Sequence, residues 1–366
     1  MKEQLQDLIT ALNGKKGYDL KMVIGLDGFV DEIVHLVDKR TDFENFTRIP
    51  TIANLGERIS RAAGLSTNIE MVPIQLKLGG NGPILSNALL NYGVKLTYIG
   101  ALGEPHPVFA DMAERSEKVY SLCNPAHTHA LEFEDGKVMM GKLNSLNQIT
   151  WARFKEVVGS ADEIAKIFNS SNLIGMENWV MIPHMSQIWR GIIEEVFPLM
   201  GATKPLAFFD LCDPEKRTPE DISEAMTLIG KFEEKFRTIL GLNESELYRI
   251  AAVFGLKNEG LQATTIALAK KLNIYGLVIH PVKEACCVID NQYFHVDGPY
   301  CEKPLLTTGA GDNFNSGFCL AQSLELSPQQ SLTLGVCTSG FYVRNAKSPT
   351  YSEVLQFAQK WQNGEI

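Results

Sequence analysis

The chain has 366 residues, 45% of them hydrophobic and 21% charged, a composition that excludes a disordered protein and allows a large core. Its formal net charge of −9, with no basic block or arginine-rich face, opposes a phosphodiester backbone, so nucleic acid is not an expected partner. Anionic small molecules stay open, because a few backbone N–H groups at one helix N-terminus suffice to hold a phosphate.

Cys123, Cys212, Cys286, Cys287, Cys301, Cys319 and Cys337 are odd in number and lack C-x-x-C spacing, which predicts reduced, mostly buried thiols. Met1 to Lys21 carries charges throughout and has no apolar h-region, and nowhere do 18 apolar residues run together. The expectation is a cytoplasmic protein with no membrane partner.

From Leu20 onward, extended and helical patterns alternate, which predicts an α/β fold with a mostly parallel sheet. Leu20 to Leu26 is the first strand. An extended piece to Val37, a helix around Leu55 to Ala63 and an alternating run from Ile69 to Leu78 follow, an insertion with strands of its own. Ile84 to Tyr92 reads as a helix opened by glycines, and Lys95 to Gly100 as a strand. His127 to Leu143 is a hairpin turning at Glu134-Asp135-Gly136, a favoured turn dipeptide, and it pairs naturally with the insertion to form a lid. Buried strands are predicted at Leu173 to Met176, Leu206 to Asp210, Ala251 to Leu256 and Tyr275 to Ile279, with helices at Met185 to Leu199 and Glu220 to Leu240. Two short strands joined at Asn291 lie between Glu284 and Val296, and three helices close the chain. The main domain is expected to comprise residues 1–31, 79–118 and 144–366, and the lid and insertion residues 32–78 and 119–143.

The segment carrying most chemistry is Thr307-Thr308-Gly309-Ala310-Gly311-Asp312, set where a strand end turns into a long helix. Its small residues let backbone N–H groups converge on an anion at the helix N-terminus. A carboxylate there is unfavourable beside a phosphate unless it accepts a proton from an attacking hydroxyl while the amides hold the transferred phosphoryl group. A plain helix cap after a glycine turn is the simpler reading of the same residues.

This string resembles the C-terminal signature of the ribokinase-like (pfkB-type) carbohydrate kinases. Two further segments are similar to that family in the expected order: Leu78-Gly79-Gly80-Asn81-Gly82 before a helix, and Leu26-Asp27-Gly28-Phe29-Val30-Asp31 after the first strand. The resemblance implies a three-layer α/β/α ribokinase-like fold with a small β lid and Mg2+ with ATP as phosphoryl donor, ADP being an alternative. It further implies a sugar, sugar acid or nucleoside as acceptor. Asp312 is then the catalytic base, assisted by the Gly309, Ala310 and Gly311 amides. Asp31 is the expected substrate ligand, with Asp27 as its rival, and Gly79, Gly80 and Asn81 approach the same molecule. A homodimer formed through the lid is compatible with this arrangement.

Four departures bear on function. Leu306 stands where relatives place an acidic residue, so no monovalent cation is expected. Ile84 replaces an Asn of the glycine signature, with Asn87 one turn further on. The Asn-x-x-Glu segment that organises metal and phosphates corresponds loosely to Asn258-Glu259-Gly260-Leu261, without the final Glu; Glu259 through metal-bound water, or Lys257 as a point charge, would substitute. The loop His280 to Ala285 lacks the usual glycines. With Lys283, Thr308, Gly309 and Gly311, Lys257 and Asn258 make up the expected nucleotide-binding set. A binding protein that has lost turnover is the alternative these departures raise. The seven histidines show no transition-metal spacing.

Overall fold

The computed structural model describes residues 1–15 and 17–366. Its strands in chain order are β1 (Lys21–Leu26), β2 (Phe29–Arg40), β3 (Phe46–Arg48), β4 (Met71–Gly79), β5 (Lys95–Gly100), β6 (Lys118–Ser121), β7 (Ala126–Glu132), β8 (Lys137–Lys142), β9 (Leu173–Glu177), β10 (Leu206–Asp210), β11 (Arg237–Leu242), β12 (Gly276–Ile279), β13 (Glu284–Ile289) and β14 (Gln292–Asp297).

Among the described residues, nine strands form one sheet in the order β14-β13-β12-β11-β10-β9-β1-β5-β6. It is parallel from β12 to β6, and antiparallel where β13 and β14 extend the edge. Leu206-Ala-Phe-Phe is a continuous apolar run because both faces of the strand are covered. Ala207 and Phe209 pack under the helices from Trp151–Val158 to Leu261–Leu272. Leu206 and Phe208 pack under Lys2–Leu12, Asn81–Asn91 and the three C-terminal helices. Each fully buried Phe contributes roughly 1.5–3 kcal/mol of transfer free energy to this three-layer core.

Ala251 to Leu256, predicted as a strand, is instead the end of the helix Glu244–Val253 and the turn after it, while the strand is β11. The apolar run Ile250-Ala-Ala-Val is too short for periodicity to separate strand from helix. The start signal decides: the Asn243 side chain accepts from the Glu246 N–H and Glu246 accepts from the Asn243 N–H, a capping box that commits the following residues to a helix.

The smaller sheet runs β3-β2-β7-β8, with β4 beside β2, and has its own core of Val34, Leu36, Leu131 and Phe133 under the helix Ile52–Arg61. The Asp135 side chain ties the β7–β8 turn to the Ile52 N–H at the start of that helix. Two boundaries differ from expectation. β2 starts at Phe29, so Asp31 belongs to the lid sheet, and β6, which straddles the predicted boundary between 118 and 119, pairs with β5 in the large sheet. No helix among the described residues is long and apolar enough to cross a membrane.

Candidate active site

Five neighbouring parallel strands deliver polar residues at their C-terminal ends. These are Asp27 after β1, Glu177 and Asn178 at β9, Asp210 at β10, Asn243 after β11 and His280 after β12. Asp210, Asn243 and His280 line the crevice beside the point where strand order reverses at β1, the place where open α/β sheets bind ligands, and Asp27, Glu177 and Asn178 are buried behind it.

Asp27 is the anchor of this crevice rather than its floor. It is 0% exposed, and its carboxylate accepts from Asn81 N (3.0 Å), Gly82 N (3.0 Å) and Asn178 Nδ2 (2.7 Å), while the Tyr98 hydroxyl donates to its carbonyl. It thus holds the N-terminus of the helix Asn81–Asn91 against β1 and β9. Gly82 must lack a side chain, because a Cβ there would lie 2.8 Å from the carboxylate and 2.7 Å from the Tyr98 hydroxyl. Burial pushes the Asp27 carboxyl up to about 6 despite these donors, with Asp210 adding to the rise.

The loop Thr307–Gly309 enters the helix Ala310–Ser323 beside Asn81. Gly309, at φ 87°, takes the left-handed turn, and the Ala310 N–H closes onto the Thr307 carbonyl. Gly309 and Gly311 have no backbone acceptor for their N–H groups among the described residues. Asp312, in the first turn, is 8% exposed. Burial raises its carboxyl well above the usual range, Asp210 and Asp27 add to the rise, and Asn81 opposes it. Asp210 accepts from Asn315 Nδ2 and Cys212 N, both at 2.9 Å. Burial, with the charges of Asp210, Asp312 and Asp27 adding to it, holds the Glu177 carboxyl well above its ordinary range, and neither of its oxygens has a hydrogen-bond partner among the described residues. Burial and Asp210 also raise Glu246. Such a set is stable only with protons or a divalent cation among the oxygens.

Two cavities meet at this loop. The first, about 550 Å3, has Asp312, Gly311 and Asn81 at one end and Asp210, Asn243 and Glu246 beside them, and continues past His280, Val282 and Tyr300. The second, about 430 Å3, lies under the lid and is lined by Asp31, Lys77, Ile84, Asn87, Lys137 and Thr308, among others. Thr307 faces the first and Thr308 the second, so the loop is the partition between them.

The sequence-derived residues separate accordingly. Asp31 reaches the second cavity. A methyl group at Gly79 would overlap its carboxylate, which burial raises and Thr128 and Lys77 lower. Asp27 lines neither cavity. Gly80, at φ 96°, packs on Asp27, and Asn81 faces the first cavity. Asn87, one turn beyond Ile84, lines the same cavity as Ile84 after all, and Leu306 lines it too.

Lys257, Asn258 and Glu259 line neither cavity; they occupy the loop before the helix Leu261–Leu272, where the Asn258 side chain accepts from Gly260 N. Lys283 stands just outside the first cavity, its ammonium over the Tyr300 ring. The Asn-x-x-Glu pattern is present instead at Asn243-Glu244-Ser245-Glu246, with both end residues lining the first cavity. The sequence conceals it because it follows β11, whose first residues fall inside the predicted helix Glu220 to Leu240, a helix that ends at Phe232 in the structure; Asn at a strand end with Glu three residues on is the available signal.

Solved structures share this architecture. The ribokinase of Arabidopsis thaliana, complexed with ribose and ATP, matches with a TM-score of 0.64 at 16% identity, covering 93% of this chain and 98% of its own. An E. coli protein of the ribokinase II type, in complex with ATP and Mg2+, matches at 0.63 and 14% identity, covering 94% and 99%. Fold and site together define a ribokinase-fold carbohydrate kinase, which moves a phosphoryl group from a nucleotide to a sugar hydroxyl. More narrowly, residues 14–361 match the family model of prokaryotic ketohexokinase, and the chain belongs to that family. The ketohexokinase of Haloferax volcanii is 28% identical over 342 residues, 92% of this chain and 90% of the relative.

Proposed function

We propose that the protein phosphorylates a ketohexose with MgATP. The observation that carries this reading is the position of Asp312 on a partition between two cavities, next to free glycine amides. The first cavity takes the nucleotide, its base against Val282 and Tyr300 and its phosphates toward the Gly309 and Gly311 N–H groups. Asp210, Glu246 and Glu177 suit the magnesium carried by the nucleotide, since Glu177 offers two unpartnered oxygens in a site crowded with carboxylates. That ion neutralises charge on the phosphates.

The second cavity takes the sugar. Asp31 accepts from two hydroxyls, Asn87 supplies an amide where Ile84 supplies none, and the lid strands β2 and β8 close over it. A sugar hydroxyl pointing across the partition gives its proton to Asp312 and attacks the terminal phosphorus; its O–P bond forms as the bond to the leaving nucleotide breaks. Closure of the lid excludes water, which otherwise competes for the phosphoryl group. The raised Asp312 carboxyl fits a base tuned toward neutral pH once a cation shares the site.

We place this reaction in the cytoplasm, where the seven free thiols stay reduced. Leu76 and Met140, exposed on the outer face of the lid, favour a homodimer formed there. The test is steady-state turnover of the purified protein with MgATP or MgADP against D-fructose, other ketohexoses, aldoses, ribose and adenosine. Phosphorus NMR identifies the hydroxyl modified. A preference in kcat/KM for an aldose or nucleoside over every ketohexose overturns the assignment.

A further inference from the structure

The lid sheet has two faces, and only one of them belongs to the site above. Asp31, Ile33 and Ala130 turn toward the second cavity, and the two-residue repeat of a strand turns Glu32, His127 and His129 the other way. In the parallel β2–β7 ladder Glu32 lies directly across from His129, and His127 precedes it by two residues on the same face. A Glu32 carboxylate oxygen is 2.8 Å from His129 Nδ1, and the two imidazole centroids are 5.1 Å apart. One donor atom from each of the three residues lies within 4.8 Å of the others.

Hydrogen bonding does not account for this grouping. The Nδ1 atoms of His127 and His129 are both buried without a hydrogen-bond partner among the described residues, the Glu32 contact being close but out of line for one. Buried imidazole nitrogens held beside a carboxylate in this way suit a ligand that accepts lone pairs, and the matching ligand is a metal ion.

We propose that Glu32, His127 and His129 form a binding site for a transition-metal dication, Zn2+ foremost, on the outer face of the lid. Two imidazoles and one carboxylate select zinc, cobalt, nickel or copper over magnesium, which takes oxygen ligands, so the site is chemically distinct from the phosphoryl-transfer centre. Donors around one ion with bonds of about 2.0–2.1 Å sit about 3.4 Å apart, so binding requires a small side-chain rotation, which these half-buried residues allow. Lys142, paired with His127 on the same face, and the His106 imidazole when protonated are nearby groups whose positive charge opposes the ion. The bound ion ties β2 to β7 and so fixes the strands that present Asp31, with Thr128 beside it, to the second cavity. The ligands escaped sequence reasoning because the pattern is split between two distant segments joined only by the ladder.

The test uses the full chain, treated with chelator and titrated with Co2+ and Zn2+ in excess Mg2+. The wild type is expected to bind about one equivalent of Co2+ with visible d–d bands and no thiolate charge-transfer band, and the His127→Gln/His129→Gln pair to lose affinity about tenfold or more. Zn2+ should raise the Tm of the wild type and leave that of the pair unchanged, while the metal-free Tm and turnover of both match. On the unaltered protein, Zn2+ should shift the ring NMR signals of two of the seven histidines. Binding that survives in the double variant, a thiolate band, or no saturable binding together with unmoved histidine signals overturns the proposal.

Discussion

The two cavities are built by different rules. The first stands on the ends of consecutive strands of one sheet, and its carboxylate Asp210 is fixed by Asn315 and Cys212, while Asp27, buried behind it, is held by three donors. The second takes part of its wall from the small sheet, whose Lys77, Lys137 and Met139 reach in from strands with exposed edges. On the proposed function, chemistry that needs positions held within fractions of an ångström sits on the large sheet, and recognition of the acceptor is shared with the small one. Leu306 and Ile84, two of the departures from the family pattern, line the second cavity.

If that division holds, a change on the partition should stop turnover with both ligands still bound. Asp312→Asn is expected to lower kcat about a hundredfold or more and to leave the KM of each substrate within a few-fold, as for a positioned general base. Near-normal turnover removes Asp312 from its role. Asp31→Ala should act on one side only. Loss of its hydrogen bonds to sugar hydroxyls in a closed site is expected to cost about 2–4 kcal/mol of sugar affinity, roughly 30- to 1000-fold, with nucleotide affinity unchanged by calorimetry. An equal loss for both ligands erases the distinction between the cavities.

The buried carboxylates give a third handle, through stability. Asp27 is pushed up to about 6 and Glu177 well above its ordinary range, chiefly by burial. In the unfolded chain both ionise near pH 4. Unfolding between the two values therefore releases protons, and stability falls as pH rises, first through the window from about 4 to 6 set by Asp27 and onward above it through Glu177. Magnesium-free protein should consequently melt at a lower temperature at pH 8 than at pH 5. Glu177→Gln removes one contribution and should raise Tm at pH 8 by a few degrees, with little change at pH 5. A variant less stable at pH 8 than the wild type shows that Glu177 is charged and paired in the folded state.

Much of this is legible in the sequence, and what is hidden has two causes. β5 and β10 fall on the predicted residues and the Asp-Gly hairpin at its predicted turn, because an apolar run bounded by turn residues is a local signal. The Gly309–Asp312 turn was legible for the same reason. Asn243 and Glu246 were not, since the apolar end of their helix imitates a strand and displaced the search to Asn258. That Asp27 is an anchor and Asp31 faces the cavity depends on partners more than 40 residues away, Asn81, Gly82 and Asn178, which no local pattern encodes.

The smallest expected effect concerns monovalent cations. Leu306 offers no oxygen at the position where related kinases carry an acidic side chain. In the structure it lines the second cavity beside Ile84, and the adjoining Thr308 carbonyl already accepts the Tyr342 hydroxyl at 2.7 Å. A potassium ion there would exchange its hydration shell for backbone dipoles alone, next to a turn whose free N–H groups favour anions. Binding of that kind is weak, so replacing potassium by sodium or by a bulky organic cation at fixed ionic strength should change kcat/KM less than about twofold while magnesium remains essential. Saturable activation by potassium of several-fold would mean that another carboxylate reaches the loop in the closed state. Besides Asp31, which is assigned to the sugar, Glu353 is an acidic residue lining the same cavity, so Glu353→Gln, measured with and without potassium, identifies it or clears it.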